Sequence, residues 1–382
     1  MTDRERALLL LRRIERESSF ASPLLHNETG FVRTLVLGVL RWRSRIDHAI
    51  ATLASRRIEK LDPVVVELLR LGLYQLMFMD VAPHAAVNET VDLAGQYAKR
   101  ARGFVNAVLR NATRTKVEPD SVATATAHPP WLIERWTRAF GAERARRIAE
   151  ANQELSFPDA LSEAKPSEDA VASTLVDGIW KLRGATPEDT WAMDEGSAVI
   201  AAIAANAGSE VLDLAAAPGS KTLYMRSRGT RVISHDISLQ RLRPLMSRSD
   251  GPIIVGDGRL APFRKQFDVV LLDAPCSATG TIRKNPELKW RLRESDIATF
   301  GQLQRELLAA ALQLAKHTVI YSTCSLEPEE NDEIIDSVAG EFRRGDITSL
   351  TPAGAKTWVD NGVLRLTPES GADGFTAFVL TR

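Results

Sequence analysis

The sequence predicts an α + α/β protein: an all-helical N-terminal domain, then a doubly wound α/β domain that closes with an antiparallel hairpin. Three observations predict it. Apolar residues recur at three- and four-residue spacing from 3 to 115, with no competing alternation. After about residue 165 five short β-rich runs alternate with helical segments. The tail then holds two more such runs close enough to pair, GVLRLTP and GFTAFVLTR.

The helical series begins with RERALLLLRRIERE and continues with FVRTLVLGVLRWRSRIDHAIATL and DPVVVELLRLGLYQLMF. In VAPHAAVNETVDLAGQY, Pro83 breaks the chain and Asn88 and Glu89 open a further amphipathic stretch. RGFVNAVLRNATR ends the set. Residues 1–118 therefore form the first domain. Residues 119–165 read as a linker and helical connector: the Pro, Thr and Ala of the stretch up to AHPP break the pattern, and PPWLIERWTRAF and AERARRIAEANQE restore it. Residues 166–382 form the α/β domain, with strands expected at 210–216, 231–237, 253–258, 267–275 and 317–325.

With 382 residues, 44% apolar and 26% charged, the chain is long enough for two cores and ordinary in composition. Its first residues, MTDRERALLLLRRIERE, mix both charge signs and resemble neither a secretory signal nor a transit peptide. No apolar run is long enough to span a bilayer. Two cysteines, Cys276 and Cys324, are too few for a disulfide framework and lack zinc-site spacing, so no metal is expected and a reducing cytoplasm fits.

A net charge of zero hides an asymmetry. Residues 1–118 carry 19 basic and 13 acidic side chains, and the remainder 30 and 36. A basic front joined to a slightly acidic back suits a module that grips phosphates beside one that does chemistry; a solvated basic helical surface gives the same count.

In a doubly wound sheet, ligands sit beyond the carboxyl ends of the strands. AAAPGSKT, 215–222, follows the first run and opens a helix, so its backbone can approach a ligand with a helix N-terminus behind it. Asp236 ends the second run, where a carboxylate can accept from both ribose hydroxyls of a nucleoside; Asp257 ends the third, where one can face an adenine amino group. Either could instead be a helix cap. Both cysteines fall at the same edge, in DAPCSATG and STCSLEPEEN, although free cysteine is more often simply a small buried residue.

DAPCSATG, TCS and AAPGSK resemble the RNA m5C methyltransferases of the NOL1/NOP2/Sun family. ETGFVRTLVLGVLRWRSRID, LRLGLYQLMF, HAAVNETVDLA and RGFVNAVLR are similar to the NusB-like domain of the bacterial branch that acts on 16S rRNA. The resemblance implies a Rossmann-like class I methyltransferase domain, S-adenosylmethionine as cofactor, and RNA as the partner, with no obligate protein partner evident. It makes Cys324 the nucleophile and gives Cys276 a part in product release. Asp273 and Lys221 complete the catalytic set. Ala215, Ala216, Ala217, Pro218, Gly219, Ser220 and Lys221 would hold the methionine moiety, Asp236 the ribose, and Asp257 the adenine, with Asp273 beside them. Arg283, Lys284 and Lys289 would meet RNA near the target base.

The chain departs from that pattern in places. Ala215 stands where a cysteine is frequent and Ser220 where a second glycine is usual. Pro158-Asp159 and Leu161-Ser162-Glu163-Ala164 replace a Pro-Pro pair and an Arg-x-Asn signature, and Met193 replaces a glutamine. Two other readings use the same residues: a DNA cytosine methyltransferase with Cys276 as nucleophile, and an RNA-binding protein with a scaffold α/β domain.

Overall fold

The computed structural model describes residues 1–17, 19–184, 187, 190–338 and 340–382. The chain divides into two units, Met1–Glu154 with Asn285–Arg291, and Leu155–Lys284 with Leu292–Arg382. The expected boundary at 118 therefore shifts. Helices Pro130–Phe140 and Ala142–Ala151, expected as part of a separate connector, belong to the first unit, where Leu132, Trp136, Ala145 and Ile148 are fully buried. An amphipathic helix pair has to cover its apolar stripe, and these two do so inside that unit.

The first unit is built on helices Asp3–Glu17, Gly30–Ala54, Pro63–Phe78, Pro83–Tyr97 and Arg102–Ala112. Thr29 caps the second by accepting from Val32 N, and Asp62 caps the third by accepting from Val64 N with Pro63 in the first turn. Pro83 starts the fourth helix rather than breaking the chain before it, because a first-turn residue needs no intrahelical N–H partner. Leu8, Leu35, Ile46, Ile50, Leu68, Leu69 and Leu109 make the core. Gly38 admits the ring of Tyr74, whose Cζ would lie 1.9 Å from a Cβ at that position.

Asn285–Arg291 packs within this same unit. Lys289 Nζ donates to the carbonyls of Arg41 at 2.8 Å and Ala127 at 2.7 Å. Trp290 Nε1 donates to Leu40 O at 2.6 Å, and Glu287 accepts from Ala21 N at 2.9 Å.

The second unit opens with a small antiparallel sheet of β1 (Asp159–Leu161), β2 (Val171–Ala172), β3 (Ile179–Lys181) and β4 (Trp191–Ala192), in the order β2-β3-β1-β4. Strands of two and three residues carry no readable alternation, so no local pattern announces them.

The main sheet contains β5 (Glu210–Asp213), β6 (Arg231–Asp236), β7 (Ile253–Val255), β8 (Phe267–Asp273), β9 (Ala315–Thr323), β10 (Arg343–Arg344), β11 (Val359–Asp360), β12 (Val363–Leu366) and β13 (Phe375–Thr381). Its order is β11-β12-β13-β9-β8-β5-β6-β7, with β10 on β13. The five strands from β9 to β7 are parallel; β12 and β13 form the expected hairpin, and β13 pairs antiparallel with β9. Strand order reverses at β5, the switch point where such sheets open a ligand crevice.

Side-chain alternation divides the core between the two faces. Val211, Val269 and Leu271 pack with helix Glu195–Ala207 through Val199 and Ile203. Leu212, Val270 and Leu272 pack with helix Glu294–Leu314 through Leu307, Leu308 and Ala311. Burial on both faces explains why these strands read as continuous apolar runs. Among the described residues, no helix is long and apolar enough to cross a membrane.

Candidate active site

β5 delivers the chain into the loop Leu214–Gly219 and the helix Ser220–Ser227. Two backbone groups tie the loop to β6: Ala216 N donates to His235 O at 2.8 Å and Ala217 N to Asp236 Oδ2 at 3.0 Å. Gly219 has φ 114°, and a Cβ there would meet Leu245 at 2.6 Å, so both conformation and space require glycine. Ser220, the departure from the family's usual glycine, accepts from Trp191 Nε1 at 2.9 Å.

Asp236 is buried at the tip of β6, where its other oxygen accepts from Ser238 N at 2.9 Å. Asp257, beyond β7, caps the turn Gly258–Leu260 and pairs with Arg259 at 2.7 Å. Hydrogen bonding from Arg259 holds the Asp257 carboxyl down to about 2. These strand ends offer carboxylate acceptors suited to ribose hydroxyls and an adenine amino group, and the loop offers a helix N-terminus suited to a carboxylate. The donor set thus fits S-adenosylmethionine, although Asp257 is already engaged by Arg259.

At the end of β8, Asp273 Oδ2 pairs with Lys221 Nζ at 2.6 Å, and Oδ1 accepts from Ser322 Oγ at 2.8 Å. Burial opposes the charge on Lys221. The Asp273 carboxylate outweighs it, with Asp213 and Cys324 adding, and the ammonium is held above its usual value. Cys276 and Cys324, on the loops after β8 and β9, lie with their sulfurs 3.3 Å apart. The hydrogen bond to Cys324 comes first, then burial, then the charges of Cys324, Glu330 and Asp273; together they raise the Cys276 thiol well above its normal range. Cys276 keeps its proton at neutral pH.

The structure also brings in residues that no motif singled out. Glu330, Gln304 and Asn331 are buried beneath the two cysteine loops. Glu330 and Asn331 lie in STCSLEPEEN, where three acids and an amide close behind a cysteine motif are a usable signal; Gln304 sits in an ordinary helical stretch and offers none.

The basic residues expected to face RNA are turned to internal partners. Lys284 binds Asp159 at 2.9 Å and Asp194, with Asp373 at 3.7 Å. Burial opposes its charge, but Asp194, Asp373 and Asp159 hold it strongly protonated. Asp373 is in turn pushed up to about 8, by burial first and then by Asp194. Arg283 is buried and donates to Gly371 O at 2.7 Å. Lys289 is enclosed in the helical unit, and burial, reinforced by Arg41, lowers its ammonium. Arg283, Lys284 and Lys289 thus bond to carboxylates and carbonyls of the chain itself.

A family model described as 16S rRNA methyltransferase RsmB/F matches residues 200–380, and one described as the NusB family matches residues 1–114. Ribosomal RNA small subunit methyltransferase B of Vibrio cholerae is 33% identical over 396 residues, covering 92% of this chain and 89% of that protein. The chain belongs to the RsmB/F family. Its Escherichia coli relative, also a ribosomal RNA small subunit methyltransferase B, is 33% identical over 355 residues, covering 80% of each chain.

Among solved structures, PH0851 superposes with a TM-score of 0.77 at 24% identity, covering 100% of this chain and 99% of that one. NSun6 from Pyrococcus horikoshii, solved with SFG, gives 0.55 at 16% identity over 67% of this chain and 98% of that one. At these identities the likeness carries the fold: a NusB-type helical region followed by a Rossmann-like methyltransferase domain. RsmB/F proteins are S-adenosylmethionine-dependent, and S-adenosylmethionine is the cofactor here.

Proposed function

We propose that this RsmB/F member methylates C5 of a cytosine in 16S rRNA, with Cys324 as the nucleophile. The observation that carries the reading is the sulfur pair at 3.3 Å, beside the Lys221–Asp273 ion pair.

Cytosine C5 is a weak nucleophile toward a methyl sulfonium. Addition of a thiolate at C6 moves electron density onto C5 and activates it. Cys324 supplies that thiolate, on the loop after β9 beside Cys276. Asp273 hydrogen-bonds the base while Lys221 and Ser322 fix its carboxylate. S-adenosylmethionine supplies the electrophilic methyl group, and the residues 215–221, Asp236 and Asp257 hold it. Removal of the C5 proton by a base then lets the C6–sulfur bond break and returns Cys324 as thiolate. Cys276, protonated and in contact with Cys324, assists that release. The base has to leave its stack to reach both groups, so an accessible nucleotide is the substrate. The basic NusB-like unit supplies phosphate contacts, in the cytoplasm where ribosomal RNA is found.

The test incubates purified wild type, Cys324→Ala and Cys276→Ala with labelled methyl donor and unmodified small-subunit rRNA, reading 5-methylcytosine and protein–RNA adducts. Cys324→Ala abolishes both; Cys276→Ala blocks turnover and accumulates the adduct. Normal methylation by Cys324→Ala would overturn the assignment. Methylation of duplex DNA but not RNA, lost on Cys276→Ala, would support the DNA reading.

A further inference from the structure

Each cysteine is held from both sides by groups that never touch its sulfur. Ser277 follows Cys276, and Ser325 follows Cys324. Their hydroxyls lie 3.1 Å apart, and both donate to the same carboxylate oxygen, Glu330 Oε2, Ser325 at 2.5 Å. The other oxygen, Oε1, accepts from Ser277 N at 2.8 Å and from Gln304 Nε2 at 3.1 Å. Gln304 also donates to the carbonyl of Pro275, the residue before Cys276, at 2.8 Å.

The next residue does the same for the second loop. Asn331 accepts from the hydroxyl of Thr323, which precedes Cys324, at 2.7 Å, and donates to Ser325 O at 3.0 Å. The Glu330 carbonyl accepts from the hydroxyl of Tyr321 on β9 at 2.7 Å. Glu330 is thus the point where the two cysteine loops, β9 and the helix Glu294–Leu314 converge.

Ser277 N, both serine hydroxyls and Gln304 donate into the carboxylate, and these bonds oppose the burial that raises the Glu330 carboxyl. A buried carboxylate is a costly filler, since desolvation of a charge has to be offset by well-made hydrogen bonds. Apolar packing would join two loops as firmly. What apolar packing does not supply is a set of directed hydrogen bonds to both cysteine loops at once.

We infer that Glu330 is the positioning residue of the cysteine pair: by bridging Ser277 and Ser325 it fixes the register of Cys276 against Cys324. The inference deepens the proposed reaction and rests on it for its meaning. Cys276 is raised by the bond to Cys324, by burial and by the Cys324 charge, with Glu330 and Asp273 contributing. The other charged or titratable groups facing this site are Lys221, Tyr321 and Arg305.

Two variants of the full chain separate geometry from charge. In Glu330→Gln the amide oxygen still accepts from Ser277 N, and the amide nitrogen donates to the serine hydroxyls, so the bridge survives while the charge goes. In Glu330→Ala both are lost. The thiols are followed by iodoacetamide alkylation with peptide mass spectrometry from neutral to alkaline pH, which needs neither RNA nor methyl transfer. Binding of S-adenosylhomocysteine reports the cofactor site, and kcat and KM come from the methylation assay.

In wild type Cys276 alkylates more slowly than Cys324. Glu330→Gln moves the Cys276 alkylation limb to lower pH and keeps most of kcat. Glu330→Ala lowers kcat on the order of 10²-fold, the scale of a small misplacement of reacting groups, with little change in KM for the methyl donor. Unchanged alkylation profiles in both variants overturn the inference. So does parallel loss of S-adenosylhomocysteine binding and activity in both, which marks a general structural role. If wild type shows the thiol asymmetry but forms no 5-methylcytosine, the proposed reaction fails while the role of Glu330 in the pair stands.

Discussion

Lys221 Nζ lies 2.6 Å from Asp273 Oδ2, an ion pair joining the helix after β5 to the tip of β8. Both side chains are mostly buried, so each charge depends on the other for solvation lost on folding. Lys221→Met leaves an uncompensated carboxylate and lowers unfolding free energy by about 3 kcal/mol, read from urea midpoints. The double variant Lys221→Met/Asp273→Asn recovers part of that loss, because no orphan charge remains. An additive double variant would show that the two groups do not interact.

Asp213, at the end of β5, is held up to about 6 by burial, against the opposing effects of Thr222 and Lys221. In the unfolded chain an aspartate titrates near about 4. Between these values the folded state holds a proton that the unfolded state has released, so stability falls as pH rises through this window. Above it the deficit is constant. Asp213→Asn removes it and keeps an acceptor for Thr222, which donates to Oδ2 at 2.7 Å. The variant gains on the order of 2–3 kcal/mol at neutral pH and nothing at acid pH. A gain that is equal at both pH values would refute the linkage.

Asp236 and Asp257 differ in how they are engaged. Asp236 binds two backbone amides, one of them in the 215–221 loop, whereas Asp257 is clamped by Arg259. Asp236→Ala therefore both removes a ligand and loosens the loop. It weakens S-adenosylhomocysteine by more than tenfold, about 1.4 kcal/mol or more in calorimetric titration. Asp257→Ala costs less affinity. It also loses a cap on the turn Gly258–Leu260.

Lys289 was expected beside RNA and is instead hydrogen-bonded to Arg41 O and Ala127 O. Lys289→Met removes the donor from the Ala127 carbonyl and a second bond from the helical Arg41 carbonyl, and destabilises the protein by about 1–3 kcal/mol. The salt dependence of rRNA binding stays unchanged, because no phosphate contact is removed. A shallower salt slope in Lys289→Met would restore the RNA role.

Much of the architecture was legible because its signals are local. The apolar period of FVRTLVLGVLRWRSRIDHAIATL makes one helix, Gly30–Ala54, and the apolar run FDVVLLD makes β8. The loop glycine Gly219 and the strand-end acids Asp236 and Asp273 were likewise visible from their places after β-rich runs. The four short strands β1 to β4 were not, because their pairing partners lie up to 32 residues apart, as Ala160 and Ala192 do. Nor was the membership of Pro130–Phe140 in the first unit, since an amphipathic stripe says that a face is buried and not where.

The sequence by itself determined the residue types and strand-end positions from which the reaction is read: two thiols at the ends of strands, a lysine and an aspartate near them, and a glycine turn. These are consequences of chain order and backbone preference. Only the tertiary structure decided which charges are available. Arg283, Lys284 and Lys289 look alike in GTIRKNPELKW, yet burial and nearby acceptors commit each to an internal partner. Glu330 looks like any acid in PEEN, yet folding closes four donors around it under Cys276 and Cys324. A side chain's charge is written in the sequence, whereas its solvation depends on contacts between distant segments, and solvation decides whether that charge meets a substrate or holds the fold.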